Sequence, residues 1–140
     1  MEYRPHPDVC VRPSATHGLG VYAAAAIPAD TVLERCAVLQ DMYMRDRQRP
    51  CAFQRYLYFA WKDYPTVGIL PSGFGSMYND GGRCCNVVYT LDMDRRCMTF
   101  VALRDIEAGE ELRIDYQAMT RLQAHRQKES RSYERETQKQ

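Results

Sequence analysis

Short apolar runs alternate with turn residues along the first part of this 140-residue chain. In residues 8–39, the runs are interrupted by turn signals at 17–20 and at 28–30. Residues 23–26 are four consecutive alanines, which favour a helix when taken alone. Because glycine and proline bound them closely, the pattern predicts strands and turns over the whole segment.

The second half of the chain continues in the same way. Residues 68–82 are rich in turn signals, with five glycines and one proline. Residues 87–103 contain two apolar runs around a polar turn at 92–96, which predicts a hairpin. Residues 104–116 predict a turn at Gly109 followed by a closing strand. Since no long amphipathic helix separates the runs, the pattern excludes a βαβ nucleotide-binding fold.

Three segments are less well defined by their pattern. Residues 41–49 are highly charged, which predicts a surface loop or a short helix. The apolar spacing in residues 52–64 suits either a short helix or an irregular strand. Residues 118–140 form a strongly polar tail, in which we expect a short helix around 119–122 and then a disordered end.

The charge is unevenly distributed along the chain. Residues 1–116 contain 13 Lys and Arg against 15 Asp and Glu, a net charge of −2. Residues 117–140 contain 6 against 3, a net charge of +3. The slightly acidic body argues against direct nucleic-acid binding, for which a basic face is typical. It is compatible with a basic protein or peptide as partner.

The cysteines and the start of the sequence bear on the environment of the protein. The six cysteines include no CxxC pair, so we expect no metal site and instead reduced, buried structural thiols. No apolar segment stands at the beginning of the sequence. We therefore expect no secretion and no membrane insertion, but an intracellular protein that is nuclear or cytoplasmic.

Three stretches, taken in order, carry a family resemblance: HGLGVYA at 17–23, NDGGRCCN at 79–86 and RDIEAGEELRIDY at 104–116. They resemble the signature motifs of SET-domain lysine methyltransferases, which are a Gly-x-Gly turn, an Asn-His-Ser-x-x-Pro-Asn loop and a Gly-Glu-Glu-Leu-x-x-x-Tyr ending. The chain is most similar to the small single-domain SET proteins of bacteria and viruses. The resemblance implies a SET domain over residues 1–117, followed by the tail at 118–140.

The implied fold is mainly β with little helix. It is the SET-domain (β-clip) fold, a set of small curved sheets with a knot-like arrangement in which the closing segment threads beneath the loop at 79–86. The implied reaction is methyl transfer from S-adenosyl-L-methionine to a lysine amine of a basic protein or peptide, with a histone tail as the usual target. A homodimer is a further possibility that the resemblance leaves open.

The resemblance also assigns roles to individual residues. Tyr116 is the implied catalytic tyrosine, and Tyr89 is an aromatic residue expected to line the lysine channel. Asn86 is expected to brace the loop structurally. The implied cofactor-binding residues are His17, Gly18, Leu19, Gly20, Asn79, Asp80 and Tyr116.

Four further residues have structural interpretations from the sequence. We expect Glu110 and Glu111 to hydrogen-bond the crossing segment rather than to act as bases. Tyr78 and Phe100 could line the channel, but core packing is the favoured interpretation for both.

The loop at 79–86 departs from the family pattern. Asp80 replaces histidine, Gly81 replaces serine, Cys85 replaces proline, and one additional residue separates the two asparagines. Main-chain contacts of Asp80 tolerate such a change, but the imidazole's own hydrogen bond is lost, at a cost of about 1 kcal/mol. Two alternatives to an active enzyme therefore stay open: a catalytically inactive SET fold that binds a peptide or protein, and an unrelated small β-domain.

Overall fold

The computed structural model of the chain describes residues 2–41, 58–59, 68–92 and 94–116. Within these ranges the chain forms nine strands and a short 3-10 helix, Gly82–Cys84. The strands are β1 (Val9–Pro13), β2 (Leu19–Ala23), β3 (Val32–Asp41), β4 (Tyr58–Phe59), β5 (Gly68–Pro71), β6 (Asn79–Asp80), β7 (Val87–Asp92), β8 (Cys97–Ala102) and β9 (Glu111–Ile114). The described part of the chain contains no α-helix, so the prediction of a mainly β fold is confirmed.

The strands form two sheets of different size. The smaller sheet has the order β1-β2-β9-β6, and the larger has the order β4-β5-β3-β8-β7. The named strands pair in antiparallel fashion, except that β6 runs parallel to β9. This parallel pair brings the middle of the chain against its closing strand, although more than thirty residues separate them.

Two hairpins confirm the strands that the apolar pattern predicts. β1 pairs with β2 along its full length, and β7 pairs with β8 in the same way. Successive side chains of a strand point to opposite faces of its sheet, and β7 shows this in its buried Val87 and exposed Val88. The side chains on the inner faces belong to a core that draws on both sheets, with Val21 from the smaller and Met98 from the larger.

A β-bulge in β3 changes which side chains enter the core. The register with β8 shifts between Val32 and Glu34, and a bulge of this kind turns neighbouring residues out of strict alternation. Leu33 and Glu34 are consequently both buried, at 0% and 1% exposure. The bulge thus places a carboxylate inside an otherwise apolar layer.

The Glu34 carboxylate attaches the loop that follows β5 to the core. Its Oε1 accepts the backbone N–H of Phe74 at 2.8 Å, and its Oε2 accepts the hydroxyl of Tyr78 at 3.3 Å. A Cβ atom at Gly73 would overlap Oε1, so only glycine fits there. Burial raises the pKa of this carboxyl, although the bonds from Phe74, Cys36 and Tyr78 oppose the shift.

Some of the sequence predictions concern residues outside the described ranges. These are 42–49, the tail at 118–140 and all of 52–64 except Tyr58–Phe59, which forms β4. The expectation of buried thiols is right for Cys36 and Cys97 but wrong for Cys84, which is exposed. Cys84 is exposed because it ends the 3-10 helix, in which no residue is buried.

Three observations apply to the described ranges only. The five cysteines found there are free. No helix in them is long and apolar enough to cross a membrane. No group of three or more His, Cys, Asp or Glu side chains in them could hold a metal ion.

We predict that Glu34 makes stability depend on pH. Because its pKa in the folded protein lies above the ordinary value of 4.5, the folded state binds this proton more tightly than the unfolded chain. The Glu34 contribution is therefore fully present below pH 4.5 and is lost as the pH rises through the folded pKa, with a slope of at most about 1.4 kcal/mol per pH unit. Urea unfolding of the wild type and Glu34→Gln between pH 4 and 8 should show this component in the wild type alone.

The matched control for this measurement is Glu2→Gln, which changes an exposed carboxylate paired with Arg4. We expect its profile to follow that of the wild type. Parallel profiles for the wild type and Glu34→Gln would contradict the prediction.

Candidate functional site

The closing strand β9 is hydrogen-bonded to both ends of the loop at 79–86. Near the start of the loop, the N–H of Gly81 donates to the carbonyl of Ile114 at 2.8 Å. At its end, the N–H of Asn86 donates to the carbonyl of Arg113 at 3.1 Å. The strand is thus held between the two limbs of the loop, which is the contact that a threaded closing segment requires.

The side chain of Asn86 completes this attachment. Its amide nitrogen donates to the carbonyl of Glu111 at 2.8 Å, and its Oδ1 accepts the N–H of Arg113 at 2.7 Å. The residue is 3% exposed, so neither partner is replaced easily by water. These two bonds connect the end of the loop to the closing strand, where the sequence predicts that Asn86 braces the loop.

Asn79 connects three parts of the chain through one amide group. Its side-chain nitrogen donates to the carbonyls of His17 and Leu19, at 3.2 and 3.1 Å, and to Oε1 of Glu111 at 2.8 Å. The two amide hydrogens are therefore shared among three acceptors. The nitrogen is committed to contacts within the protein, and it fixes the glycine turn against the closing strand.

The two glycines of the turn meet different requirements. Gly18 has φ +51°, a conformation that residues with a side chain rarely adopt. A Cβ atom at Gly20 would overlap Oε1 of Glu111 and lie 3.1 Å from Nδ2 of Asn79. The close approach of the turn to the Asn79 and Glu111 side chains thus depends on Gly20.

Glu111 receives hydrogen bonds from several directions. Besides the Asn79 amide, it accepts the hydroxyl of Ser14 at 3.0 Å and two N–H groups of Arg113, at 2.6 and 3.1 Å. Burial alone would raise the pKa of this carboxyl, but the bonds from Asn79, Arg113 and Ser14 outweigh it and hold the pKa below its ordinary value. Glu111 is therefore ionised near neutral pH and serves as an acceptor.

Glu110 also has a structural role. Its carboxylate accepts hydrogen bonds from Arg104, from the amide of Asn86 at 3.4 Å and from the N–H of Glu107 at 2.9 Å. The Arg104 bond is the main reason why the pKa of Glu110 lies below its ordinary value. Glu110 and Glu111 thus make the hydrogen bonds that the sequence predicts for them.

Tyr116 follows β9 and is held at two points. Its hydroxyl donates to the carbonyl of Tyr78 at 2.8 Å, and its backbone N–H donates to Oδ1 of Asp80 at 3.1 Å. The residue is 51% exposed, so its ring borders the solvent. Partial burial, with the negative charges of Asp80 and Glu111, raises the pKa of the phenol, which therefore stays protonated at neutral pH.

The rings of Tyr78, Phe100 and Tyr89 form a row that ends in the larger sheet. The Tyr78 and Phe100 rings are stacked with centroids 4.3 Å apart, and the Tyr89 ring is tilted against Phe100 at 5.9 Å. Tyr78 and Phe100 are 1% and 0% exposed, which confirms core packing for both. Burial, and then the charge of Asp115, raises the pKa of Tyr89 to about 12.

The structure brings most of the predicted site residues into one region. The turn, β6 and the end of β9 meet there through the Asn79 and Asp80 contacts. These elements supply His17, Gly18, Leu19, Gly20, Asn79, Asp80 and Tyr116. Tyr89 lies in β7 of the other sheet, and the contacts that lead from it toward Tyr116 pass through Phe100 and Tyr78.

Other residues of the site are not singled out by the sequence. Asp115 is 8% exposed. Burial, and then the charge of Asp115, raises the pKa of Cys85. The position of Asp115 directly before Tyr116 is a signal in the sequence that could have identified it as a residue of the site. Ser14 and Arg113 join the network from positions 99 residues apart, for which the sequence carries no signal. The Tyr78 carbonyl is a backbone group and has no sequence signature.

Comparison with known proteins identifies similar sequences. A family model described as SET domain matches residues 18–117. A histone-lysine N-methyltransferase of Schizosaccharomyces pombe, described as specific for H3 lysine-37, is 32% identical over 111 residues. The aligned region covers 76% of this chain and 71% of that protein.

Two solved structures have a fold similar to that of this chain. A candidate histone methyltransferase of Plasmodium falciparum has a TM-score of 0.59 at 23% identity, over 79% of this chain and 94% of that one. CpSET8 of Cryptosporidium has a TM-score of 0.57 at 21% identity, over 77% of this chain. The chain spans 56% of the Cryptosporidium structure. At such identities the likeness shows the fold.

We predict that Asn86→Ala lowers the free energy of unfolding by about 2–4 kcal/mol, since it removes two part-buried hydrogen bonds, to the Arg113 N–H and the Glu111 carbonyl of β9. Urea denaturation with a tertiary-structure probe measures this. Asp105→Ala is the control, because it removes a hydrogen bond to the backbone N–H of Ala29 at an exposed position, and we expect a loss of about 1 kcal/mol or less. Equal losses in both variants would contradict the assigned role of Asn86.

Proposed function

Because the chain belongs to the SET-domain family of lysine methyltransferases, we propose that it transfers a methyl group from S-adenosyl-L-methionine to a lysine side chain of a basic protein or peptide. One observation carries this proposal. The Asn79 amide joins the glycine turn to the closing strand, and Tyr116 stands half-exposed beside this junction. The turn to which the resemblance assigns cofactor binding and the expected tyrosine therefore lie close together, in a chain that matches the family.

The residues around the turn fit this cofactor. Nothing lies within 4 Å of where a Cβ atom at Gly18 would stand, so a ligand can approach the main chain there. Leu19 is 52% exposed, and the negative charge of Asp80 favours a cationic ligand on this face. When bound, the cofactor supplies a methyl group on a positively charged sulfur.

Each residue of the proposed cofactor site has a distinct part. The backbone at His17, Gly18, Leu19 and Gly20 would bind the ligand, together with Asp80. The carbonyls of His17 and Leu19 each accept one hydrogen bond from Asn79 and retain a second lone pair. Asn79 contributes by holding the turn in place.

Tyr116 would orient the amine of the substrate lysine. Its hydroxyl hydrogen is directed to the Tyr78 carbonyl, so the phenol oxygen presents its lone pairs to a donor such as a lysine N–H. Since the raised pKa keeps the phenol neutral, it acts as an oriented dipole and not as a base. An in-line displacement needs mainly such positioning of the reacting nitrogen, at about 3–3.5 Å from the methyl carbon.

The reacting amine must also be uncharged, because an ammonium group has no lone pair. An environment of low polarity disfavours the ammonium form and lowers the pKa of a lysine. In the row formed by Tyr78, Phe100 and Tyr89, the first two rings are buried, and the Tyr89 ring is partly buried against the core. We propose that the outer end of this row, at Tyr89, borders the path of the lysine side chain.

A histone tail or a similar basic peptide is the proposed substrate. The relative from Schizosaccharomyces pombe is described as a histone H3 methyltransferase. The net charge of −2 over residues 1–116 is compatible with a basic partner.

One structural observation supports a second candidate function. The side chain of Asp80, which replaces the family histidine, bonds to protein backbone groups at Gly82 and Tyr116. If the altered loop no longer binds the cofactor, the protein is an inactive SET fold that binds peptides. Binding of a histone-tail peptide with equal affinity in the presence and absence of cofactor would favour this function.

We predict that the wild-type protein binds S-adenosyl-L-methionine with micromolar affinity, about −8 kcal/mol. Isothermal titration calorimetry measures this, with S-adenosyl-L-homocysteine as a second ligand that lacks the transferable methyl group. Absence of binding up to millimolar concentration of both ligands would reject the enzyme and favour the peptide-binding function.

We predict that Tyr116→Phe lowers kcat about 100-fold while the affinity for the cofactor changes less than threefold, since the variant loses the orienting hydroxyl and little else. Transfer of a labelled methyl group to histone peptides gives kcat, and calorimetry gives the affinity. Tyr3→Phe, at a tyrosine of similar exposure, is the control and should behave as the wild type. An unchanged kcat in Tyr116→Phe would refute the role of this tyrosine.

A further inference from the structure

Asp80 joins the loop to the residue proposed as the catalytic tyrosine. Its Oδ1 accepts the backbone N–H of Gly82 at 3.0 Å and that of Tyr116 at 3.1 Å. The first bond closes a tight turn at the start of the loop. The second crosses 36 positions of sequence, so one carboxylate oxygen fixes the loop and the end of the closing segment together.

The location of Tyr116 makes the second bond important. β9 ends at Ile114, and the pairing of β6 with β9 ends at Asp80 and Ile114. The backbone of Tyr116 therefore lies beyond the sheet ladder that holds the strand. The Asp80 carboxylate continues the attachment for two more residues.

The other end of Tyr116 is attached to the same short segment. Its hydroxyl donates to the carbonyl of Tyr78, which precedes Asp80 by two residues. The tyrosine is thus bonded at its backbone by Asp80 and at its hydroxyl by Tyr78. Two attachments to one short segment determine both the position and the direction of the ring, whereas the hydroxyl bond alone would leave the backbone free to shift.

We propose that Asp80 is a positioning residue, which holds Tyr116 in its working orientation through the hydrogen bond from the Tyr116 backbone N–H to Oδ1. This inference rests on the proposed function, in which Tyr116 orients the lysine amine. Asp80 thereby has a role for its own side chain, distinct from the main-chain contact with cofactor that the family resemblance implies. The accepting oxygen matters more than the negative charge, because the two donors are neutral backbone amides.

Two variants separate the oxygen from the charge. Asp80→Asn keeps an acceptor oxygen at the same place and removes the charge, and Asp80→Ala removes both. We expect kcat to fall about tenfold or more in Asp80→Ala with the KM for the peptide within twofold, and Asp80→Asn to restore kcat to within about threefold of the wild type. If Asp80→Asn is as impaired as Asp80→Ala, the acceptor role is refuted.

The control is Asp92→Ala. Asp92 accepts a backbone N–H from Arg95 at 3.1 Å in an exposed turn of the β7–β8 hairpin, so its loss resembles that of Asp80 without touching Tyr116. We expect wild-type kinetics for this variant. An equal fall of kcat in Asp92→Ala would show a general effect of loosening a turn and would overturn the proposal.

A double-mutant cycle tests whether Asp80 acts through Tyr116. If it does, Asp80→Ala should change kcat less than twofold in the Tyr116→Phe background, because residues that act as a unit have non-additive effects. A further tenfold loss in the double variant would mean that Asp80 acts independently of the tyrosine.

Amide hydrogen exchange provides a measurement that needs no activity. In Asp80→Ala, the amides of Tyr116 and Gly82 should exchange at least tenfold faster, and in Asp80→Asn close to the wild-type rate. Unchanged exchange at Tyr116 would overturn the proposal even in an active enzyme. Faster exchange in a protein that binds neither S-adenosyl-L-methionine nor S-adenosyl-L-homocysteine would instead refute the proposed function and leave the attachment of Tyr116 by Asp80 established.

Discussion

The shared hydrogen bonds of Asn79 and Glu111 join three segments that are distant in sequence. The amide of Asn79 reaches carbonyls about sixty positions earlier in the chain and a carboxylate 32 positions later. Ser14 and Arg113 complete the coordination of that carboxylate. Closing such long loops costs conformational entropy. Once the Asn79 amide and the Glu111 carboxylate are withdrawn from water, each also needs its hydrogen-bond partners within the protein. The glycine turn, β6 and the closing strand therefore depend on one another for their placement.

The pKa values of two carboxyls, Glu111 and Glu34, are shifted in opposite directions. Glu111 is surrounded by an amide, a hydroxyl and a guanidinium, which favour its charged form. Glu34 lies deep in the core, where burial disfavours its charge more than its hydrogen bonds favour it. Glu34 nonetheless attaches the loop that bears Tyr78, and the Tyr78 carbonyl receives the hydroxyl of Tyr116. A group that is unfavourable near neutral pH thus supports the geometry of the proposed site.

The altered loop keeps the contacts that the fold requires. The additional residue lies between Asn79 and Asn86, in a loop in which Gly82–Cys84 forms a 3-10 helix. The bonds from Gly81 to Ile114 and from Asn86 to Arg113 remain on either side. The departure from the family pattern therefore changes the side chains near the proposed cofactor and leaves the pairing with β9 intact. Asp80 gains an attachment to Tyr116 within this arrangement.

Local patterns in the sequence were sufficient for the longer strands, the hairpins and the family, whereas β5 and β6 lie in residues 68–82, which the pattern predicts as turns. Alternating apolar residues and turn signals predict β1, β2, β7, β8 and β9, because these features act between neighbours in the chain. The three motifs were recognisable for the same reason, and the sequence predicts hydrogen-bonding roles for Asn86, Glu110 and Glu111 from them. The ambiguous segment at 52–64 contains β4, which its periodicity alone could not distinguish from a helix.

Only the tertiary structure decided which distant groups meet. The bulge that buries Glu34, the bonds from Asn79 to the turn and the bond from Tyr116 to Asp80 all join groups whose separation in sequence carries no signal. The exposure of Cys84 and the burial of Asp115 follow in the same way from where each lies in the fold. The sequence by itself determined most of the elements and the family of this protein, because these are encoded in short stretches. The tertiary structure decided how Tyr116 is held, because hydrogen bonds between remote residues form only when the chain has folded.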